Sequence, residues 1–256
     1  MSASAAKAGG TPGRGRLPRR SLHREAVEAL GPRIVRGEIP EGSALPIESE
    51  LGEELDVSRT VVREAVKVLA AKGLVATRPR TGTKVLPRSN WDVLDHDVLR
   101  WIVDSGPDKD FFEDLFEVRT IIEPQAAALA AERRTPREAA KLATLLEGVE
   151  AAGHDPRMHI ETDLPLHAAI LEASHNELLV RLSSTLGVAL RAGRAVTTQV
   201  TEGMKLSIPL HHEAVTAIID GEPQRARDAM HALIDNARQD MVVALADEAE
   251  ARSAVR

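Results

Sequence analysis

Residues 45–85 read LPIESELGEELDVSRTVVREAVKVLAAKGLVATRPRTGTKV, and the punctuation of this run decides the fold. Pro46 is placed to start a helix, Glu48 and Glu50 follow in a first turn where the helix dipole favours acids, and Leu51 and Leu55 share one face. After Asp56, Ser58 can cap a second helix that runs through Arg59, Arg63, Val66 and Leu69 to Lys72 and is ended by Gly73. Two runs rich in Val and Thr, residues 74–77 and 83–86, then flank Arg78-Pro79-Arg80-Thr81-Gly82, whose Pro and Gly favour a hairpin. Two short helices joined by a tight turn and followed by a basic hairpin predict a winged helix-turn-helix.

Upstream, Ala26, Leu30, Ile34 and Val35 recur at helical spacing from Ser21 until Gly37 and Pro40, with Gly31-Pro32 expected to interrupt the helix. Residues 1–20 carry no acid and almost no large apolar group, so they cannot bury enough surface to offset chain entropy and are read as a disordered basic tail. Its Arg14, Arg16, Arg19 and Arg20 suit a flexible phosphate-contacting arm; an organelle transit peptide would need a sustained apolar face that is missing.

Charge separates the chain into two halves. Residues 1–90 hold 16 Lys and Arg against 10 Asp and Glu, a balance of about +6, and the remainder holds 17 against 29, about −12. A basic module joined to an acidic one suggests that the first meets a polyanion. Aromatics are 2% and cysteine is absent, which excludes a disulfide framework, a thiolate zinc finger and a cysteine nucleophile, and fits a reducing, cytoplasmic setting. No apolar run approaches the roughly 20 residues that span a bilayer, so no membrane partner is expected.

Beyond a linker with a first helix at 88–108, every long segment has helical period. Breaks are expected near Ser105-Gly106-Pro107, Thr135-Pro136, Gly153 to Pro156, His175-Asn176, Gly203 and Gly221 to Pro223, giving six or seven helices of about 10–25 residues. The chain is thus expected to be mainly α, with a DNA-binding domain at 21–87 and an all-helical domain at 109–250.

A recognition helix must aim donors from its first turns at base edges while short polar groups bond phosphate. Arg59 and Arg63 suit the first task and Ser58 and Thr60 the second, while Arg78, Arg80 and Lys84 let the wing reach backbone or minor groove. The run quoted above closely resembles the GntR family of bacterial regulators, whose pattern sets a Leu-Pro, an acid-flanked Leu, a Val-Ser-Arg and a Val-Arg-Glu-Ala before a Gly-containing wing. The resemblance implies DNA contacts at Arg59, Thr60 and Arg63; Ser49 stands where some members carry Arg.

In ETDLPLHAAILEASHN, residues 161–176, Asp163 and His167 stand four apart, so both can hold one metal from a single helix face. Alone, such a pair reads more readily as a surface carboxylate beside a histidine. Residues 110–245 look like the FCD ligand-binding domain of the FadR subgroup, and that resemblance implies an effector-contacting Arg119 and a divalent metal, zinc or similar, on Asp163, His167 and His211. His211 is preferred to His212 because the family's ligand lies seven residues before the apolar residue that leads into the Gly turn, here Ile218.

The family's fourth histidine would fall at Leu233. Three readings stay open: three protein ligands completed by water or effector, His231 as a replacement, or no metal. Arg119, Arg191 and Ser207 are the candidate effector contacts. RSNWDVLDHDVLRWIV, residues 88–103, is similar to the galactonate-operon repressor branch of the family, which implies an aldonate or related sugar acid as effector. The expected protein is a homodimeric repressor that reads palindromic operator DNA and is not an enzyme. A small metallohydrolase on the same triad would lack a His-Glu-x-x-His general base, and a metabolite carrier with a degenerate DNA head is the other alternative.

Overall fold

Helix α1 (Arg19–Val35), helices α2 (Glu48–Glu54) and α3 (Arg59–Ala71), and the strands β1 (Val75–Arg78) and β2 (Gly82–Val85) build the first of two units, Met1–Trp91. The computed structural model describes residues 19–78, 82–153, 155–198 and 200–254. The tail expected at 1–20 therefore lies outside the described residues as far as position 18, and Arg19 and Arg20 belong to α1 instead. Gly31-Pro32 does not interrupt that helix. Pro32 forfeits only its own backbone donor, and the Arg36 amide still reaches the Pro32 carbonyl at 2.9 Å.

The turn between α2 and α3 depends on two residues. Asp56 takes a left-handed backbone with φ 52°, and Gly52 lets the chain fold back until the Val57 amide reaches its carbonyl at 2.9 Å. A Cβ on Gly52 would stand 2.9 Å from the Val57 carbonyl oxygen, closer than side chains tolerate. Ser58 caps α3, its Oγ accepting from the Val61 amide at 3.4 Å. α3 packs on α1 and α2 and buries Val61, Val62, Ala65 and Leu69, while Leu30 and Ile34 of α1 and Leu51 of α2 are buried as well.

The strands pair antiparallel, Val75 with Val85, Ala76 with Lys84, Thr77 with Thr83 and Arg78 with Gly82. Period-two alternation puts Val75, Thr77, Thr83 and Val85 on one face, where the two threonine hydroxyls meet at 3.0 Å. Ala76, Arg78 and Lys84 share the other face. The free edge of β2 is covered by residues 43–45, through Val85 N to Ser43 O at 3.0 Å and Leu45 N to Thr83 O at 2.8 Å.

The second unit, Asp92–Arg256, is helical throughout its described residues: α4 (His96–Asp104), α5 (Lys109–Arg133), α6 (Pro136–Ala152), α7 (Pro156–Ala173), α8 (Glu177–Thr197), α9 (Thr201–Asp220) and α10 (Pro223–Ala254). Side chains of Asp95, Asp108, Thr135, Asp155 and Asn176 cap α4 to α8. The break expected at Gly203 is not made there. α9 already starts at Thr201 and runs through Gly203, so His211 and His212 sit in mid-helix.

α5 lies along α10 and touches α7, α8 and α9, while α7 packs on α6 and α8. Ala126, Ala127, Ala130 and Ala131 make the middle of α5 thin, which lets neighbours approach closely. Leu142, Leu166, Ile170, Ile218 and Met230 fill the space between helices. Into this apolar interior the chain inserts Arg119, Glu123, His159, Asp163, His167, Arg194 and His211, each at most 6% exposed. Such groups are buried at high cost unless they satisfy one another.

Candidate functional site

On the first unit, Ser58, Arg59, Thr60 and Arg63 are exposed along the start of α3, and Arg78 and Lys84 are exposed on the outer face of the hairpin. Arg80 lies outside the described residues. Arg63 is held in place rather than swinging free: its Nε and Nη2 donate to Glu48 Oε1 and Oε2 at 3.1 and 2.8 Å. The same bonds keep the Glu48 carboxyl below its ordinary range. Nothing in the sequence flagged this pair, which joins residues fifteen apart.

In the second unit, α7 and α9 bring Asp163, His167 and His211 together in the interior. His211 Nε2 lies 2.8 Å from Asp163 Oδ1, His167 Nε2 lies 3.5 Å from the same oxygen, and the two Nε2 atoms are 3.4 Å apart. The outer nitrogens fix the tautomers. His211 Nδ1 faces the Ser207 carbonyl at 2.8 Å, an acceptor only, so Nδ1 carries the proton and Nε2 a lone pair. His167 Nδ1 donates to Glu123 Oε2 at 2.6 Å. Burial works against the charge on Glu123, but Arg119 and His167 outweigh it and hold that carboxyl well below the usual range.

With both rings neutral, three acceptor atoms converge here, and burial pushes the His211 imidazole down to about 3. A cation relieves the clash. Ligand atoms around a tetrahedral ion with bonds of about 2.0–2.1 Å stand roughly 3.3–3.5 Å apart, which two of the three separations here match while the His211–Asp163 one, at 2.8 Å, is shorter. Histidines whose far nitrogens are held by a carboxylate and a backbone carbonyl are the usual support of such an ion. The residues present fit a divalent metal.

The remaining candidates divide. Arg119 is buried, gives Nε to Glu123 Oε1 at 2.7 Å, and stacks over Phe116. Ser207 is buried with its hydroxyl 3.1 Å from His211 Nδ1. Arg191 instead turns outward to Glu161 at 2.6 Å and is more than half exposed. His212 likewise turns away, to Glu150 at 2.9 Å. His231 as a replacement ligand is overturned: it is exposed on α10 and paired with Asp235 at 2.9 Å.

Leu233 lines a small cavity of about 30 Å³ beside the triad, and two residues that the sequence reading passed over line it too, His159 and Arg194. His159 is one turn before Asp163, the same spacing that singled out His167, so a search for His-x3-Asp-x3-His would have found it. Burial, with His211 and Arg194 nearby, lowers its imidazole to about 4. Arg194 donates Nε to Asp163 Oδ2. Burial pulls its guanidinium down to about 9, still cationic at neutral pH. On the other side of Arg119 and His167 opens a wider cavity of about 550 Å³, with apolar walls that include Leu164, Leu171 and Leu186 and with Glu161 and Arg191 at its polar end.

Comparison with known proteins matches residues 22–85 to the bacterial regulatory proteins of the gntR family and residues 114–236 to the FCD domain. The uncharacterized HTH-type transcriptional regulator YieP of Escherichia coli K12 is 38% identical over 210 residues, 81% of this chain and 90% of its own length. The galactonate operon transcriptional repressor of the same organism is 34% identical over 203 residues, 79% of this chain and 87% of its own. Among solved structures, Lar, which controls expression of the Listeria monocytogenes agr system, superposes with a TM-score of 0.58 at 18% identity, over 86% of this chain and 96% of that one, which bears on the fold alone.

Proposed function

The chain belongs to the GntR family of bacterial regulators, in the FadR-like subgroup with an FCD domain, and from that premise we propose that it is a homodimeric cytoplasmic repressor of sugar-acid catabolism, relieved by an aldonate or related acid. That it is a DNA-binding transcriptional regulator follows from the family. The finer reading rests on one observation, the convergence of Asp163 Oδ1 and the two Nε2 atoms of His167 and His211 in the interior. A divalent metal held by these three residues keeps at least one coordination position for an oxygen ligand, which suits a 2-hydroxy or 2-oxo acid.

Arg119 stands beside the triad as a buried cation, and Ser207 orients His211. The wider cavity has the size of ordinary small-ligand pockets, about 300–1,000 Å³. The galactonate named for one relative supplies the class of effector. At the other end of the chain, Arg59 and Arg63 read base edges, Ser58 and Thr60 set the helix on phosphate, and Arg78 and Lys84 add backbone contacts from the wing. Two copies reading half-sites of a palindrome follow from the symmetry of such dimers.

The test is a mobility-shift titration of the purified chain on DNA from upstream of its own gene, with and without zinc and a panel of aldonates. The reading requires sequence-selective, salt-dependent binding that at least one aldonate weakens in the presence of metal. Binding that no aldonate alters at any metal concentration overturns the effector class, and DNA binding without sequence preference overturns the repressor.

A further inference from the structure

Among the described residues of the first unit, the one large apolar side chain left well exposed is Ile47, at 63%. A single exposed aliphatic group is ordinary on a protein surface, but this one stands at an unusual place. Ile47 is the N-cap of α2, where Ser, Thr, Asp or Asn would bond a free helix amide and where the isoleucine side chain bonds none. Its side chain thus serves the fold neither by burial nor by capping. Both polar groups of its backbone are nevertheless pinned: Ile47 N donates to Glu50 Oε2 at 3.2 Å, and Ile47 O accepts from Leu51 N at 3.0 Å. The side chain is presented to solvent from a fixed point.

That point borders the DNA-reading surface. The next residue, Glu48, holds Arg63 through both of its carboxylate oxygens, so the start of α2 and the Arg63 side chain share one edge of the unit. Charge decides which part of a duplex this edge can meet. Glu48 and Glu50 both stand in the first turn of α2, so a phosphate is repelled here, whereas a neutral base edge is not. In the major groove an arginine fork matches guanine O6 and N7, and the one apolar group that the bases offer is the 5-methyl of thymine.

We propose that Ile47 is a specificity-determining residue that covers the 5-methyl group of a thymine beside the base pair read by Arg63. This rests on the reading of Arg63 as a base reader. The start of α2 then divides its work between neighbours: Glu48 fixes the arginine, and Ile47 fills the groove next to it. Thymine is told from cytosine at that position by an apolar contact and not by a hydrogen bond.

The test uses the full chain and two preparations of the DNA upstream of its own gene, one with thymidine and one with deoxyuridine at every such position, which removes the methyl groups and leaves base pairing intact. Mobility-shift titrations compare both with DNA of unrelated sequence. Wild type should bind the uracil DNA about fourfold more weakly for each methyl that Ile47 covers, the weight of one apolar carbon taken out of water. Ile47→Ser should lose that factor on thymine DNA only, and Ile47→Val, which keeps an apolar side chain, should retain most of it. Serine is a good N-cap, so Ile47→Ser should melt no lower than wild type. The proposal is overturned if Ile47→Ser weakens both DNAs equally, which would place the side chain on sugar or backbone, or if it weakens neither. Sequence-selective binding by wild type that ignores the methyl groups removes the thymine contact and leaves the regulator standing. Binding with no sequence preference removes both.

Discussion

His211 Nε2 approaches Asp163 Oδ1 to 2.8 Å although neither atom has a hydrogen to give, because the ring's proton is committed to the Ser207 carbonyl on its far side. A cation held between the atoms would relieve such a contact. Purified chain should therefore carry close to one divalent ion per protomer, and Asp163→Ala or His211→Ala should lose it; equal metal content in wild type and both variants would remove the site.

Acid should weaken the metal-free helical unit. His159 and His211 fall from the ordinary 6.5 to about 4 and about 3 in the fold, so the unfolded chain binds their protons first. The stability they contribute is present above about pH 6.5 and is lost as pH falls toward 4 and then 3. Asp240 runs the other way: burial raises it from 3.8 to about 6, so its contribution is lost as pH rises through that range, and Asp240→Asn should remove this component. Chemical denaturation across pH 4–8 in chelator, for wild type and for His159→Phe, separates the two trends.

Gly52→Ala should destabilise the DNA-binding unit by about 1–3 kcal/mol, the usual cost of overpacking, because its Cβ would press on the Val57 carbonyl oxygen at 2.9 Å. Gly73→Ala should cost at least as much. Its φ of +76° already disfavours a side chain, and a Cβ there would lie 2.1 Å from the Asn90 carbonyl oxygen. Thermal melts of residues 19–91 in the full chain, followed by the Trp91 signal, would show a lowered first transition; an unchanged one would mean that the turn adjusts.

Arg59→Ala and Arg63→Ala should each cost about 1–3 kcal/mol of operator affinity and relax specificity, if each reads a base. Lys84→Ala should weaken all sequences alike and lower the salt slope by about one. Glu48→Gln gives a sharper check. Arg63 then loses the carboxylate that holds it, and binding to non-cognate DNA should rise relative to operator. Unchanged discrimination in that variant would show that the pair plays no part in reading sequence.

Much of the layout was legible because it is punctuated by residues with one physical meaning. Ser58 at an N-cap, Gly73 at a left-handed stop and Thr135-Pro136 at a helix start are local chemistry, and each structural boundary falls beside them. Gly203 misled because a single glycine weakens a helix by only about 1 kcal/mol, less than the packing of neighbouring turns supplies. Pro32 misled for a similar reason.

Around the triad, Asp163 and His167 showed through their spacing, whereas Arg194 did not. Arg191 and Arg194 are three apart on α8, and which of them turns inward depends on how the whole helix is rolled against α7, a tertiary property with no local signature. His159 had the right spacing, one turn before Asp163, and the His-x3-Asp-x3-His pattern it completes was legible.

The buried cluster draws its members from α5, α7, α8 and α9, and Glu123, Asp163 and His211 come from segments forty or more residues apart. In a chain with no cysteine, an ion held by Asp163 and His167 of α7 and His211 of α9 would serve as a removable crosslink: it would close a long loop as a disulfide does, yet a chelator or a proton could open it. The firmness of the helical unit would then be a quantity that the supply of that metal sets.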